Sequence, residues 1–282
     1  MISNVGFIGA GKVGTSLGKY FSSKGIKISG YYSKTELHAA ESADFTNSNS
    51  YKNLTELAEV SDAIFVTVPD DHISHVWKEL SALNIEGRYV VHCSGAMSSK
   101  VFSEAEKKGV YSFSLHPLFP IRNRFEGWEE INNAYFTVEG NKERIDDVKE
   151  LMIRTGNNTA EIESDAKIKY HAASVFISNL VIGLAKAGQD ILGDCGLPSD
   201  FSENAWKALF MGNAENMVKN GLEDALTGPV ERNDYITVEK HLESLEGSEK
   251  TIYKELSRMI LDIARDKHPK RDYTNIDKEL IK

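Results

Sequence analysis

The sequence predicts an α/β protein, a doubly wound parallel sheet over residues 1–164 followed by an all-helical domain over residues 165–282. Three observations carry that reading. A strand-like run opens the chain and breaks into G-x-G-x-x-G at Gly9, Gly11 and Gly14. Short apolar runs then alternate with helical stretches as far as residue 162, and from residue 165 strand-like segments disappear. At 282 residues the chain is long enough for two units, each with its own core.

Taken in order, residues 4–8 form the first strand and residues 12–23 a helix whose apolar face is Val13, Leu17, Tyr20 and Phe21. In a strand-turn-helix, Gly9 permits the tight turn, Gly11 lets a pyrophosphate approach the backbone, and Gly14 lets the helix pack on the sheet. The free N–H groups at Lys12, Val13 and Gly14 then face the phosphates at a helix N-terminus. The same stretch spells G-x-x-x-x-G-K from Gly6 to Lys12, but Val13 stands where a triphosphate-binding loop needs a Ser or Thr hydroxyl, so an ATPase reading fails. Residues 26–32 read as the second strand, 35–42 as a helix, 46–53 as a loop and 54–60 as a short helix. The run 63–68 is apolar nearly throughout, as in a parallel strand covered on both faces. It stops at Val68-Pro69, and Asp70 and Asp71 suit the cap and first turn of a helix reaching residue 83. Residues 89–92 predict a strand, 101–108 a helix and 111–115 a further strand. Helices are expected over 170–192, 203–220, 238–245 and 250–265. The first of these is apolar around most of its circumference, which predicts burial in its own domain or against a second subunit.

The end of the second strand bears on the choice of dinucleotide. NAD-binding versions of this unit place a carboxylate there for the ribose 2′-hydroxyl, whereas this chain has Tyr31-Tyr32-Ser33-Lys34. A hydroxyl followed by a cation suits a 2′-phosphate, so Ser33 and Lys34 predict NADP(H). Ligands of such sheets sit at the carboxyl ends of the strands, which brings Val68, Pro69, Ser94 and Gly95 to the cofactor side.

Lys167, His171, Ser174 and Ser178 fall at i, i+4, i+7 and i+11, a polar stripe on an apolar helix with Asn179 at its margin. Such a stripe is expensive to bury unless it lines a site or is satisfied within the domain. Carbonyl reduction by hydride needs a proton donor, and His171 or Lys167 can supply it, with Asn179 holding the substrate or the nicotinamide amide. His116, which closes Ser114-Leu115-His116, is a second candidate for substrate contact, a structural loop histidine being the alternative. Between the helices of the second domain, Thr227 and Arg232 offer a hydroxyl and a guanidinium fork to an anionic substrate, unless Gly228-Pro229 is a plain turn. Cys93 and Ser94 imitate a nucleophile beside His92, but adjacent strand residues point to opposite faces. Asp70, Asp71, His72 and His75 imitate a metal site without a further convergent ligand, so no metal is expected.

With 33 basic against 42 acidic residues the net charge is −9, which argues against a nucleic-acid or anionic-membrane partner. Lys267, His268, Lys270 and Arg271 read as a solvated helix end. Two cysteines, Cys93 and Cys195, and no visible signal or membrane segment lead to the expectation of a reducing cytoplasm.

Together the glycine motif, Val68-Pro69-Asp70-Asp71, His92-Cys93-Ser94-Gly95-Ala96, Ser114-Leu115-His116-Pro117, Tyr170-His171-Ala172-Ala173 with Ser178-Asn179, and Ala225-Leu226-Thr227-Gly228-Pro229 with Arg232, Asp234 and His241 span nearly the whole chain. In this it resembles the Rossmann-like oxidoreductases whose helical second domain was long classed as of unknown function, relatives of pyrroline-5-carboxylate reductase, ketopantoate reductase and the beta-hydroxyacid dehydrogenases. The resemblance implies NADP(H), a small 2-oxo acid substrate held in a cleft between domains, and a homodimer formed through the helical domains. Some members of the resembled family serve as an alternative ketopantoate reductase in pantothenate synthesis, which makes 2-dehydropantoate the leading substrate. An imine substrate or a non-catalytic redox sensor are the alternatives. One departure stands out: those dehydrogenases carry a catalytic Lys four residues before an Asn, and here Val175 occupies that position before Asn179.

Overall fold

The computed structural model describes residues 2–281 and divides into two compact units, Met1–Phe176 and Ile177–Lys282. The first unit runs past residue 164, where composition changes, because the helix that follows is tied back to the sheet through Lys167, as shown below.

In the first unit β1 (Asn4–Ile8) leads through a turn to α1 (Lys12–Ser23), then β2 (Lys27–Tyr32), α2 (Glu36–Thr46), β3 (Asn49–Ser50), α3 (Leu54–Glu59), β4 (Ala63–Val66), α4 (Asp70–Leu80) and β5 (Tyr89–His92). There follow β6 (Tyr111–Leu118), β7 (Tyr135–Gly140), α5 (Ile145–Thr155), β8 (Thr159–Glu161) and α6 (Lys167–Ile177). The eight strands form one sheet in the order β3-β2-β1-β4-β5-β6-β7-β8. The chain reverses direction of growth between β1 and β4, and their carboxyl ends flank the crevice where ligands of such sheets bind.

Strand alternation explains why the central runs are apolar throughout. Phe65 and Ala63 face the core that also holds Val5, Phe7, Phe21 and Tyr31, while Ile64 and Val66 face the one holding Leu57, Trp77 and Leu80. The Phe7 and Tyr31 rings stack at 5.3 Å and Phe21 meets Phe65 edge-on at 5.6 Å, contacts that add about 0.5 to 1.5 kcal/mol each beyond their burial.

The sheet is parallel from β3 through to β6, but β7 pairs antiparallel with β6, from Phe113 opposite Gly140 to Leu118 opposite Tyr135. The 119–134 connection contains no α-helix to carry the chain back, only a 3₁₀ segment at Glu129–Asn133, so the return is antiparallel and β6 extends to Leu118. The helix expected over 101–108 is two 3₁₀ turns, Ser99–Val101 and Glu106–Lys108. Between them Glu104 takes a positive φ of 59°, which interrupts helical propagation, and Phe102 is buried with its ring 5.3 Å from Trp77. Pro69 rather than an aspartate occupies the N-cap of α4, so Asp70 and Asp71 favour that terminus from its first turn through the helix dipole.

The second unit consists of α7 (Asn179–Asp194), α8 (Ser199–Ala225), α9 (Tyr235–Ser244), α10 (Gly247–Lys267) and α11 (Thr274–Ile281). Its core gathers Val238, Leu242, Leu261, Ala264, Ile276 and Leu280 from the last three helices. The single helix expected over 170–192 is broken at Ser178, whose φ of −127° and ψ of −77° lie outside the helical range. Ser178 Oγ donates to Asn179 Oδ1 at 3.0 Å, the kind of local bond by which serine and asparagine compete with helix propagation. A stretch within Ser164–Asp194 is apolar enough to cross a membrane by length and composition. The break leaves α6 with 11 residues and α7 with 16, each short of the roughly 20 that a spanning helix needs.

Candidate active site

The G-x-G-x-x-G turn is built as the spacing predicts. Gly9 has a φ of +103°, and a Cβ there would lie 2.9 Å from the Thr67 carbonyl. At Gly14 a Cβ would come within 2.3 Å of the Gly9 oxygen, so α1 packs against the turn at a distance only glycine allows. Thr67 Oγ1 donates to Gly9 O at 2.8 Å and ties the turn to the end of β4. Around it opens a cleft of about 740 Å³ lined by Gly9, Gly11, Tyr32, Ser33, Lys34, Val68, Pro69 and His72, among others. Nothing lies within 4 Å of a Cβ placed on Gly11, so the backbone there faces open space at the N-terminus of α1. That geometry fits a pyrophosphate, with Ser33 and Lys34 on the same wall for a ribose 2′-phosphate. Lys12 and Val13 open α1 without lining the cleft, and Val13 packs against the core.

Ser94 and Gly95, expected on the cofactor, do not line that cleft. Ser94 Oγ donates to Asp70 Oδ2 at 2.6 Å and accepts the Met97 N–H at 3.0 Å. Asp70 thus ties the end of β5 to the start of α4, a role its sequence position beside a proline did not disclose. Lys167 reaches the other side of the same segment. The residue is 1% exposed, and its ammonium donates to the Ser94 carbonyl at 2.9 Å and to Ser114 Oγ at 2.5 Å. Burial lowers its pKa to about 8, although Glu139, Cys93 and Asp70 draw it upward. Glu139 is itself buried and accepts from Ser99 N, Ser99 Oγ and Ser164 Oγ at 2.7 to 2.8 Å.

His116 and His171 meet at this segment. Their rings stand 6.0 Å apart and nearly perpendicular, and a Cβ on Gly95 would lie 2.4 Å from His171 Nδ1 and 2.9 Å from His116 Nε2. Burial, helped by the Lys167 cation and by His171 and His92, holds His116 down to about 4, so it is a neutral imidazole near pH 7. Its Nδ1 lies 2.8 Å from the Tyr170 hydroxyl. Ser174 lies a turn further on and donates to the Tyr170 carbonyl at 3.2 Å. Fully buried His92 accepts the Ser94 N–H at Nδ1, 3.1 Å away, and burial holds it to about 4 as well. Cys93 is pushed up to about 12 by burial, which leaves it a thiol and unsuited to nucleophilic attack.

The other expected site residues belong to the second unit. Asn179 begins α7 beside Ser178, and both are exposed. Thr227 and Arg232 are exposed on the loop between α8 and α9, where Arg232 N donates to Gly228 O at 3.0 Å in a turn. Among the described residues no group of three His, Cys, Asp or Glu side chains converges as metal ligands. His75, part of the sequence that imitated a metal site, lies 3.4 Å from Glu79 one turn on.

The two depressed imidazoles make stability depend on pH. In the unfolded chain His92 and His116 take up protons below about pH 6.5, whereas in the fold they stay neutral to about 4. Folding therefore excludes two protons in that window, and stability falls as pH drops from 6.5 towards 4, at about 1.4 kcal/mol per pH unit for each proton excluded. Urea midpoints at pH 7 and 5 should show the loss, and a flat profile would contradict these two environments.

Two family models match the chain in turn, and the second straddles the boundary between the two compact units. Residues 2–117 match the Rossmann-like domain and residues 134–260 a domain of unknown function, DUF2520. No protein of curated function matches the chain by sequence. Among solved structures, a protein of Thermotoga maritima is 27% identical with a TM-score of 0.76, covering 93% of this chain and 98% of that one. A Bacteroides fragilis protein described as an NADP oxidoreductase is 23% identical with a TM-score of 0.69, covering 92% and 98%. A pyrroline-5-carboxylate reductase of Coxiella burnetii is 16% identical with a TM-score of 0.58, covering 99% and 98%. The Rossmann-like match takes in the glycine turn and the strands from β1 into β6, and the DUF2520 match runs from β7 through α5 and β8 into the helices as far as α10.

Proposed function

We propose that the protein is an NADP(H)-dependent reductase of a small 2-oxo acid, with 2-dehydropantoate the first compound to try. The observation that carries this reading is the gathering of Lys167, His116 and His171 around Ser94-Gly95, at the carboxyl ends of β5 and β6. That segment adjoins the dinucleotide cleft through Asp70, which follows Pro69 on the cleft wall. The bound cofactor supplies a hydride to the acceptor carbon. The chain's own residues deal with the oxygen, where negative charge develops as hydride arrives. His171 is the proton donor in this reading, because its Nδ1 is buried beside Gly95 without a hydrogen-bond partner among the described residues. Lys167 is enclosed and already donates to two oxygens, so it acts by holding the Ser94 carbonyl and by its positive field.

That field also bears on the imine alternative, which the likeness to the Coxiella burnetii enzyme keeps in view. A protonated imine brings positive charge towards a buried ammonium, whereas a carbonyl brings developing negative charge. The description of the Bacteroides fragilis neighbour and the Ser33-Lys34 wall support NADP(H) as cofactor. NADPH oxidation measured with 2-dehydropantoate and with pyrroline-5-carboxylate decides between them. Turnover of the imine alone would end the 2-oxo acid reading, and turnover of neither would favour a redox sensor.

A homodimer belongs to the same proposal. Not one residue of α7 is buried, and Leu180, Ile182 and Leu184 are 50%, 70% and 47% exposed. On α8 Leu209, Val218 and Leu222 are likewise exposed. An apolar surface of this extent is covered most simply by a second copy around a two-fold axis. Sedimentation at micromolar concentration should give a dimer, and Ile182→Glu should shift it towards monomer. A monomeric unaltered protein would refute the pairing.

A further inference from the structure

We infer that Glu79 reads the base of the dinucleotide by accepting the adenine amino group, so that base and 2′-phosphate are recognised by side chains of different elements. The inference rests on the NADP(H) reading above and deepens it by naming the residue that recognises the base. Its starting point is the extent of the cleft, which does not end at the glycine turn. Along α4 it is lined by the N-cap Pro69 and by His72, His75, Val76 and Glu79, three or four residues apart and therefore on one face of the helix. From His72 to Glu79 that face runs for about 10 Å at the helical rise per residue. The same cavity takes in Tyr32, Ser33 and Lys34, at and just beyond the end of β2. One ribose carries the pyrophosphate, the 2′-phosphate and the base, so a dinucleotide held at Gly11 and Lys34 places its adenine in this cavity as well. Tyr32 and Val76 are half-buried and pack against the cluster that holds Leu57, Trp77 and Leu80. Their uncovered surface gives a flat ring an apolar rest.

Charge sorts the two ligand groups between the two elements. Among the side chains that line the cavity, Lys34 is the only lysine or arginine and Glu79 the only carboxylate. A carboxylate repels a phosphate, and it accepts hydrogen bonds without donating any. The adenine edge offers it the N6 amino donor. Glu79 stands in the last turn of α4, where negative charge opposes the helix dipole, so the helix itself gains nothing from a carboxylate there. His75, one turn back on the same cavity wall, brings its Nε2 to 3.4 Å from Glu79 Oε1 and steadies the carboxylate on that face.

The probe is NADPH against its deamino analogue, in which hypoxanthine replaces adenine. The exchange turns the amino donor into a carbonyl oxygen that a carboxylate repels, and it leaves the 2′-phosphate as it was. Fluorescence titration of the unaltered protein is expected to show the analogue binding about tenfold more weakly, the value of one charge-assisted hydrogen bond at an exposed site. In Glu79→Gln the amide can accept from adenine or donate to hypoxanthine, so the two nucleotides are expected to bind within about twofold of each other. In Lys34→Ala both nucleotides should weaken together and the ratio between them persist. Equal binding of the two nucleotides by the unaltered protein, or a ratio that survives Glu79→Gln, would overturn the inference. Tighter binding of both nucleotides to Glu79→Gln at an unchanged ratio would also overturn it, by placing the carboxylate beside the phosphate. If neither nucleotide binds the unaltered protein, the NADP(H) reading fails and takes the inference with it.

Discussion

Replacing His171 by alanine is expected to lower kcat for carbonyl reduction by 10²- to 10⁴-fold while leaving NADPH affinity unchanged. The magnitude is that of a lost general acid. The separation of the two parameters follows from position, because His171 lies against Gly95 and His116 and does not line the dinucleotide cleft. Loss of a group used only in the transition state lowers kcat and kcat/KM together. Lys167→Met is the companion measurement. It removes a buried cation that holds Ser94 O and Ser114 Oγ, so it should alter stability and both kinetic parameters by loosening the segment that packs against His116 and His171. Activity that survives His171→Ala within a few fold and disappears in Lys167→Met would exchange the two roles.

The second large effect is on cofactor choice. Lys34→Ala should weaken NADPH binding roughly ten- to a hundredfold and leave NADH nearly unchanged, since a charge-assisted hydrogen bond contributes about 1.5 to 3 kcal/mol and only the 2′-phosphate makes it. Ser33 and Lys34 line the cleft together with Gly9 and Gly11, on one side of a single cavity. Lys34 is exposed, so salt should screen its contribution and narrow the preference for NADPH as ionic strength rises. Fluorescence titration with both nucleotides at two salt concentrations tests this. Equal affinities in the unaltered protein would refute the assignment of the wall to a 2′-phosphate.

What could be read from the chain by itself was whatever depends on neighbours in sequence. The glycine turn is local: positive φ at Gly9 and close approach at Gly14 follow from a strand feeding directly into a helix, and both are present. An apolar run announced β4 because a strand covered on both faces admits few polar positions. Local spacing also placed Lys167 and His171 one turn apart on a helix. It failed where a distant partner or a single dihedral intervened. The break at Ser178 removed Ser178 and Asn179 from the stripe, and the antiparallel return of β7 depends on where the chain goes after residue 118. The candidate site was legible as a set of residue types and not as an arrangement. Asp70 read as a helix start and is the acceptor for Ser94, 24 residues away, and Tyr170 read as one member of a motif, with nothing to disclose its contact with His116 across 54 residues. Burial, too, is a property of the assembled fold. Packing around the carboxyl ends of β5 and β6 is what lowers the Lys167 pKa and keeps His116 neutral, because removing water penalises the charged form of each.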